Sequence, residues 1–438
     1  MDPIVIALIT IMLLMVAILL GIHVGVALAL MSVIGMWWIT GNFMVAIKLL
    51  GTTSYRAVMD YIFGVIPMFV LMGLLANLSG ASKQLYDAAN MLMARLRGGL
   101  GIATVIANAI FAAITGVSVA SAAVFSKIAI PQMLRLGYDH KFSLGIVAGS
   151  SVLGMLIPPS ILLIIYGVLT EEAIGKLFIA GIVPGILLSI VLALGIYLMV
   201  LIRPDFGGGR PEIKKIGFKN FLYTLFKPWT FIALICLVLG GIYLGFFTPT
   251  EAGAIGAFGA FILALVKGKM KWKDLWKTLL ETGYTTASIF FLLISAQMYS
   301  RMLTVSGLPS ETSKFVTALA VPPIVVIIMF VVIFLILGAI LDSSSILLVC
   351  IPLMLPVIHT LNYNIIWFGI VSVVAVEMGL LTPPFGMVVY AMKSSLEEDV
   401  TIEEIFMGSF PFLLMIAFVL SLLILFPWLS VWLPGLMK

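Results

Sequence analysis

Charge is what this sequence has least of. Only 10% of its 438 residues are charged and 63% are hydrophobic, where soluble domains run near roughly 25% and 45–50%. Its 24 basic and 19 acidic residues could not clothe a water-soluble particle of this size. A soluble enzyme, a nucleic-acid binder and a disordered chain are therefore excluded, and a polytopic membrane protein remains. A β-barrel is excluded as well, because its strands alternate polar and apolar residues, whereas the apolar runs here are long and continuous. Histidine occurs three times and cysteine twice, so a His-based zinc site is not expected. Cys236 and Cys350 both lie in apolar runs and read as buried, inert thiols. The phosphate-binding pattern GxxxxGK[ST] is missing, as is HExxH, and no Ser-His-Asp arrangement is suggested. The chain therefore reads as a non-enzyme without a cofactor, its work driven by an ion gradient. The first basic residue is Lys48, so residues 4–20 lack the positive flank of a signal peptide and read as a first spanning helix.

What is present is a series of apolar stretches long enough to span a bilayer, which takes about 20 residues. They lie near 4–21, 24–40, 60–79, 142–169, 177–202, 229–246, 250–267, 283–304, 365–392 and 407–427. Two further stretches, 100–134 and 324–358, are too long for one helix and barely long enough for two. Small polar residues interrupt each: Gly116 to Ser121 in the first, Asp342 to Ser345 in the second. Neither interruption is charged enough for a solvated loop, so each stretch reads as a re-entrant hairpin with its tip inside the protein.

A shift of 225 positions superposes the unusual residues of the two halves. Ser118 falls on Ser343, Pro131 on Pro356, Leu136 and Tyr138 on Leu361 and Tyr363, Gly154 on Gly379, and Pro158-Pro159 on Pro383-Pro384. The expected architecture is an all-α duplication, residues 1–226 and 227–438. Each half has three spans, an amphipathic connector (81–98 or 308–321), a hairpin and two more spans, the first of which is broken. Five crossings per half invert the second half relative to the first, the arrangement of many secondary transporters. Seventeen basic residues then fall on the side opposite the N-terminus, against six on the other. By the positive-inside rule the side bearing seventeen is cytoplasmic. The first hairpin enters from that side and the second from outside.

The tips carry the chemistry. Serine hydroxyls and freed carbonyls are hard ligands suited to a small cation such as Na⁺, and helix ends aimed at one spot add partial charge. The double prolines, each preceded by a glycine, break their helices and free more carbonyls. Tip and break together define one candidate cation site per half: Gly116, Ser118, Ser121, Gly154 and Pro158 in the first, and Asp342, Ser343, Ser345, Gly379 and Thr382 in the second. A substrate between the tips would meet Ser118, Lys127, Asp342 and Ser343. Lys127 could neutralise an anion or pair with an acid, and Glu377 could support its break or contact a neighbouring hydroxyl. Glu251, in the first turn of a helix, reads as dipole-stabilising.

These motifs resemble the large membrane subunit of TRAP transporters (tripartite ATP-independent periplasmic transporters). The resemblance lies in GVSVASAAVFSK from Gly116 to Lys127, LGY from Leu136 to Tyr138 and IPPSILLIIYG from Ile157 to Gly167. It continues in IGKLFIAGIVPG from Ile174 to Gly185, Ile66-Pro67 and TPTEAG from Thr248 to Gly253. It implies Na⁺-coupled uptake of a small organic anion, often a carboxylate, by elevator-like movement of the hairpin-bearing part. It also implies a multi-pass protein of a bacterial or archaeal cytoplasmic (inner) membrane. The implied partners are a periplasmic substrate-binding protein and a small membrane subunit, here a separate chain because the extra N-terminal spans of fused versions are lacking. A proton-coupled or binding-protein-independent anion carrier of the same fold is the alternative.

Overall fold

The computed structural model describes residues 2–208, 224, 226–268, 270–318, 321–396 and 400–437. Among them the regular elements are all helices, and the one β contact is an isolated bridge between Tyr138 and Gly207. Seven of these helices are long and apolar enough to cross a membrane, and six shorter apolar helices accompany them. Many are apolar on every face. On Ile174–Ile202, Ile186, Ile190, Leu194 and Leu198 are exposed along one stripe while Leu188, Leu192, Ile196 and Val200 are buried along another. A helix apolar all round suits lipid on one side and protein on the other, so this is a multi-pass membrane protein. The basic residues Arg210, Lys214, Lys215, Lys219, Lys269 and Lys438 counted above lie outside the described residues.

Helix boundaries recur along the chain. Pro3–Leu19 and Val24–Thr40 have counterparts in Trp229–Tyr243 and Pro249–Val266. The helix pair Gly99–Thr115 and Ser118–Ile128 has its counterpart in Pro323–Gly338 and Ser343–Thr360. His140–Ser151 with Leu153–Leu156 corresponds to Ile365–Gly379, Ile161–Thr170 to Met387–Ser395, and Ile174–Ile202 to Ile402–Leu425. The capping agrees as well. Asp139 accepts from the Phe142 N–H at 2.8 Å and Asn364 from the Trp367 N–H at 3.0 Å, each starting the helix that leads to a double proline.

Two segments differ from the sequence expectation. Phe43–Met59 forms a helix of 17 residues that no expected span covered. Lys48, Arg56 and several hydroxyls dilute its apolar content below that of a spanning run. Asp60 ends it and caps the short 3-10 turn Tyr61–Gly64 through the Ile62 N–H at 3.0 Å, before Val65–Leu78 begins. In the second half the matching stretch is one unbroken helix, Trp272–Ser306, of 35 residues. It starts eleven residues before the span at 283–304 because Lys271, Asp274 and their neighbours make a capped polar first turn ahead of the apolar part. Cys350 is buried as expected, whereas Cys236 is exposed on its helix.

The halves pack by exchange. Ser118–Ile128 lies against Met387–Ser395, and Ser343–Thr360 against Ile161–Thr170. His140–Ser151 lies against Ile402–Leu425, and Ile365–Gly379 against Ile174–Ile202. Val24–Thr40 lies against Trp272–Ser306, and Pro249–Val266 against Val65–Leu78. The pairs are reciprocal: wherever an element of one half meets the counterpart of a second element, that second element meets the counterpart of the first. A buried hydrogen bond fastens the halves, the Tyr166 hydroxyl donating to the Ile365 carbonyl at 2.7 Å, and another, within the second half, runs from Trp367 Nε1 to the Leu423 carbonyl at 2.7 Å.

Candidate ion and substrate site

The first tip is a turn at Gly116-Val117. Gly116 adopts a left-handed conformation (φ 64°) and Val117 is extended, so the chain reverses between Thr115 and Ser118. Glycine tolerates that conformation at little cost. The turn is seated on the first helix break. The Ile161 N–H donates to the Gly116 carbonyl at 3.3 Å. A Cβ on Gly116 would stand 2.4 Å from the Pro159 carbonyl oxygen, and one on Gly154 would stand 2.8 Å from the Ser118 backbone. The break is the stretch 157–160, with a cis bond between Pro158 and Pro159. Ser160 restarts the helix by accepting from the Leu163 N–H at 3.3 Å, and its hydroxyl donates to the Met155 carbonyl.

Behind this tip lies a fully buried polar chain. The Ser121 hydroxyl donates to Asn108 Oδ1 at 2.5 Å, and Asn108 Nδ2 donates to the Ser150 hydroxyl at 2.6 Å. It ties both arms of the pair to the helix leading into the break. The counterparts in the second half are Ile333, Ile346 and Ala375, so that half has no such polar chain.

The second tip repeats the seating with different chemistry. The Phe385 N–H donates to the Ala339 carbonyl at 3.0 Å. Gly338 and Gly379 meet backbone to backbone, where an added Cβ would come within 2.7 Å of the facing Cα. Asp342 caps Ser343–Thr360: its carboxylate accepts from the Ser345 N–H at 3.0 Å and from the Ser345 hydroxyl. The Thr382 hydroxyl donates to the Gly379 carbonyl at 2.6 Å. Pro383, Pro384 and Phe385 are exposed, whereas Pro158, Pro159 and Ser160 are buried.

The two tips converge on Glu377. This carboxylate is completely buried, and the Ser343 hydroxyl donates to its Oε1 at 2.9 Å. The Ser118 hydroxyl bears on the same carboxylate from the first tip without a hydrogen bond of normal geometry. Among the described residues, Ser118 Oγ and Glu377 Oε2 are both buried without a hydrogen-bond partner. Among the described residues, neither ion pair involves Glu377.

The candidate residues thus divide. Gly116, Ser118, Gly154 and Pro158 gather at the first tip and break, with Ser121 one turn behind. Ser343, Gly379 and Thr382 gather at the second, where Asp342 and Ser345 are engaged with each other in the cap. Lys127 is not brought to the tips: it is exposed in the last turn of its helix, nine residues and about 13 Å beyond Ser118 at 1.5 Å per residue. Asn108 escaped sequence reasoning because a single amide in an apolar helix carries no local pattern. Glu251 closes a capping box with Thr248, whose backbone N–H it accepts at 2.8 Å. What remains is a pair of small, oxygen-lined seats beside the buried carboxylate of Glu377.

Comparison with known proteins agrees in kind. Residues 11–429 match the family described as tripartite ATP-independent periplasmic transporter, DctM component. The C4-dicarboxylate TRAP transporter large permease protein DctM of Pseudomonas aeruginosa is 36% identical over 343 residues, 78% of each chain. The 2,3-diketo-L-gulonate TRAP transporter large permease protein YiaN of Escherichia coli is 29% identical over 411 residues, 93% of this chain and 94% of that one. Among solved structures, the Alcanivorax borkumensis YdaH transporter superposes with a TM-score of 0.59 at 17% identity, covering 90% of each chain. At that identity the likeness concerns the fold alone.

Proposed function

The chain belongs to the DctM-component family of tripartite ATP-independent periplasmic transporters, and from that premise we propose that it carries out Na⁺-coupled uptake of a small organic anion, with a carboxylate as the favoured class. Two relatives are named for transport of a C4-dicarboxylate and of 2,3-diketo-L-gulonate. In this reading a periplasmic binding protein delivers the anion and a small membrane subunit completes the permease. The observation that carries the reading is the doubled arrangement of tip and break: a serine-headed helix seated on a proline break, twice, around Glu377. Na⁺ would bind the hydroxyl and carbonyl oxygens at each seat, and the anion would lie between the tips where two helix N-termini meet.

The two helix pairs are then re-entrant hairpins, and the halves are an inverted repeat. Support comes from the exchanged packing, in which, wherever an element meets the counterpart of a second element, that second element meets the counterpart of the first. That reciprocity is the mark of a two-fold relation. Transport would proceed by an elevator-like shift of the hairpin-bearing part, with the basic-rich side facing the cytoplasm.

The test is uptake into proteoliposomes containing the permease with its small subunit, supplied with binding protein and labelled anion. An inward Na⁺ gradient is expected to drive accumulation. Ser118→Ala and Ser343→Ala are expected to raise the Na⁺ concentration for half-maximal uptake while leaving the protein folded. Uptake driven by a proton gradient and indifferent to Na⁺ would overturn the sodium assignment, and uptake undiminished without binding protein would overturn the partner assignment.

A further inference from the structure

Glu377 is the side chain on which the two tips meet. It sits two residues before Gly379, whose backbone abuts Gly338 at the second tip. Its Oε1 is engaged by Ser343 of the second tip, while its Oε2 is buried without a partner. The Ser118 hydroxyl of the first tip, also buried and unpartnered, bears on the same carboxylate. Buried polar atoms without partners are few in folded proteins because each costs the desolvation it has not recovered. Here one such atom, Ser118 Oγ, belongs to the first half and the other, Glu377 Oε2, to the second. A hydrogen bond between them would satisfy both. The position of the first tip is therefore tied to the orientation of the carboxylate, and that orientation is tied to the second tip through Ser343.

We propose that Glu377 is a positioning residue that couples the two tips, so that occupancy of one seat alters the affinity of the other through Ser118 and Ser343. The coupling rests on the tip-and-break reading above, and it adds a path between two seats that would otherwise act independently. Its chemistry is one hydrogen bond to each side. The carboxylate makes both by accepting, and a glutamine keeps both links with one reversed, its amide oxygen accepting from Ser343 and its amide nitrogen donating to the Ser118 hydroxyl oxygen. A leucine of similar length cannot.

The experiment is a double-mutant cycle on the complete transporter in proteoliposomes. Ser118→Ala and Ser343→Ala are combined in the parent and again in a Glu377→Leu background. In the parent, the double variant should fall short of the product of the single effects on the half-saturating Na⁺ concentration by roughly two-fold or more, because either change alone already opens the link. In the Glu377→Leu background the effects should multiply, and Glu377→Gln should restore the shortfall. Strict multiplication in the parent would overturn the proposal, and so would a Glu377→Gln cycle indistinguishable from Glu377→Leu. The parent cycle stands even if Glu377→Leu does not fold. The same cycle read on the substrate KM keeps the two readings separate. Uptake indifferent to Na⁺ would sink the sodium reading alone, while independent serines in a Na⁺-dependent carrier would sink the coupling alone.

Discussion

Replacing Gly116 by alanine tests whether the first tip is truly seated on the first break. Two effects add at this position. The residue has φ 64°, and holding an L side chain in the left-handed region costs roughly 1–2 kcal/mol. The new methyl group would also stand 2.4 Å from the Pro159 carbonyl oxygen, a backbone atom that cannot rotate aside. Overpacking of that kind costs about 1–3 kcal/mol, so the total loss is expected at roughly 2–5 kcal/mol. Gly41 supplies a matched control, because it has φ 68° with nothing within 4 Å of its would-be Cβ. Gly41→Ala should lose only the conformational part, about 1–2 kcal/mol. Denaturant unfolding of both variants in the same detergent gives the difference directly, and the Na⁺ dependence of uptake gives its functional side. Gly116→Ala should weaken Na⁺ dependence by pushing the tip away from Pro159, while Gly41→Ala should leave it intact. Equal destabilisation in the two variants, or an unchanged Na⁺ response in Gly116→Ala, would refute the seating.

Three further changes probe separate elements. Asn108→Ala removes the amide between Ser121 and Ser150 and should cost about 1–3 kcal/mol, measured by denaturant unfolding; a loss under about 0.5 kcal/mol would mean the chain of bonds contributes little. Asp342→Asn keeps an N-cap acceptor and should retain stability and uptake, whereas Asp342→Ala should lose about 0.5–2 kcal/mol. Equal loss of uptake in both would assign the carboxylate charge a role beyond capping. Lys127→Gln should leave the KM for the anion within about two-fold, since the ammonium is exposed and far along its helix from Ser118; a tenfold rise would place it at the substrate.

Much of the helical content was legible because membrane spans declare themselves in unbroken apolar runs. The punctuation of the chain was legible too, since double prolines and tip serines are rare enough in such a sequence to be matched across 225 positions. Phe43–Met59 was missed for the opposite reason: Lys48, Thr52, Thr53, Ser54 and Arg56 leave it short of an unbroken apolar run, yet its helix is capped at Asn42 and closed by Asp60. Within the site, each tip announced itself locally, but the contacts between elements did not. Asn108 finds its partners 13 and 42 residues away, and Ser343 meets Glu377 at a separation of 34. Such pairings are set by how helices stack, and no spacing rule in a single sequence encodes them. The polar chain behind only the first tip was equally invisible, because duplication predicts likeness, and Ile333, Ile346 and Ala375 are where the halves part company.

The exchanged packing has a consequence for how the protein is made. The helix Ser118–Ile128 rests on Met387–Ser395, and His140–Ser151 rests on Ile402–Leu425. A ribosome delivers the first members of these pairs more than two hundred residues before the second. Throughout that interval the N-terminal half holds its serine-headed tip against its own proline break, without the later helices that pack over them. Its early helices can enter the bilayer one by one, but the candidate site can close only when the later helices arrive. Arrival of these later helices is therefore the event that joins the two tips, and a product truncated before Met387 would carry a first tip seated on its own break but bare on the side that Met387–Ser395 covers.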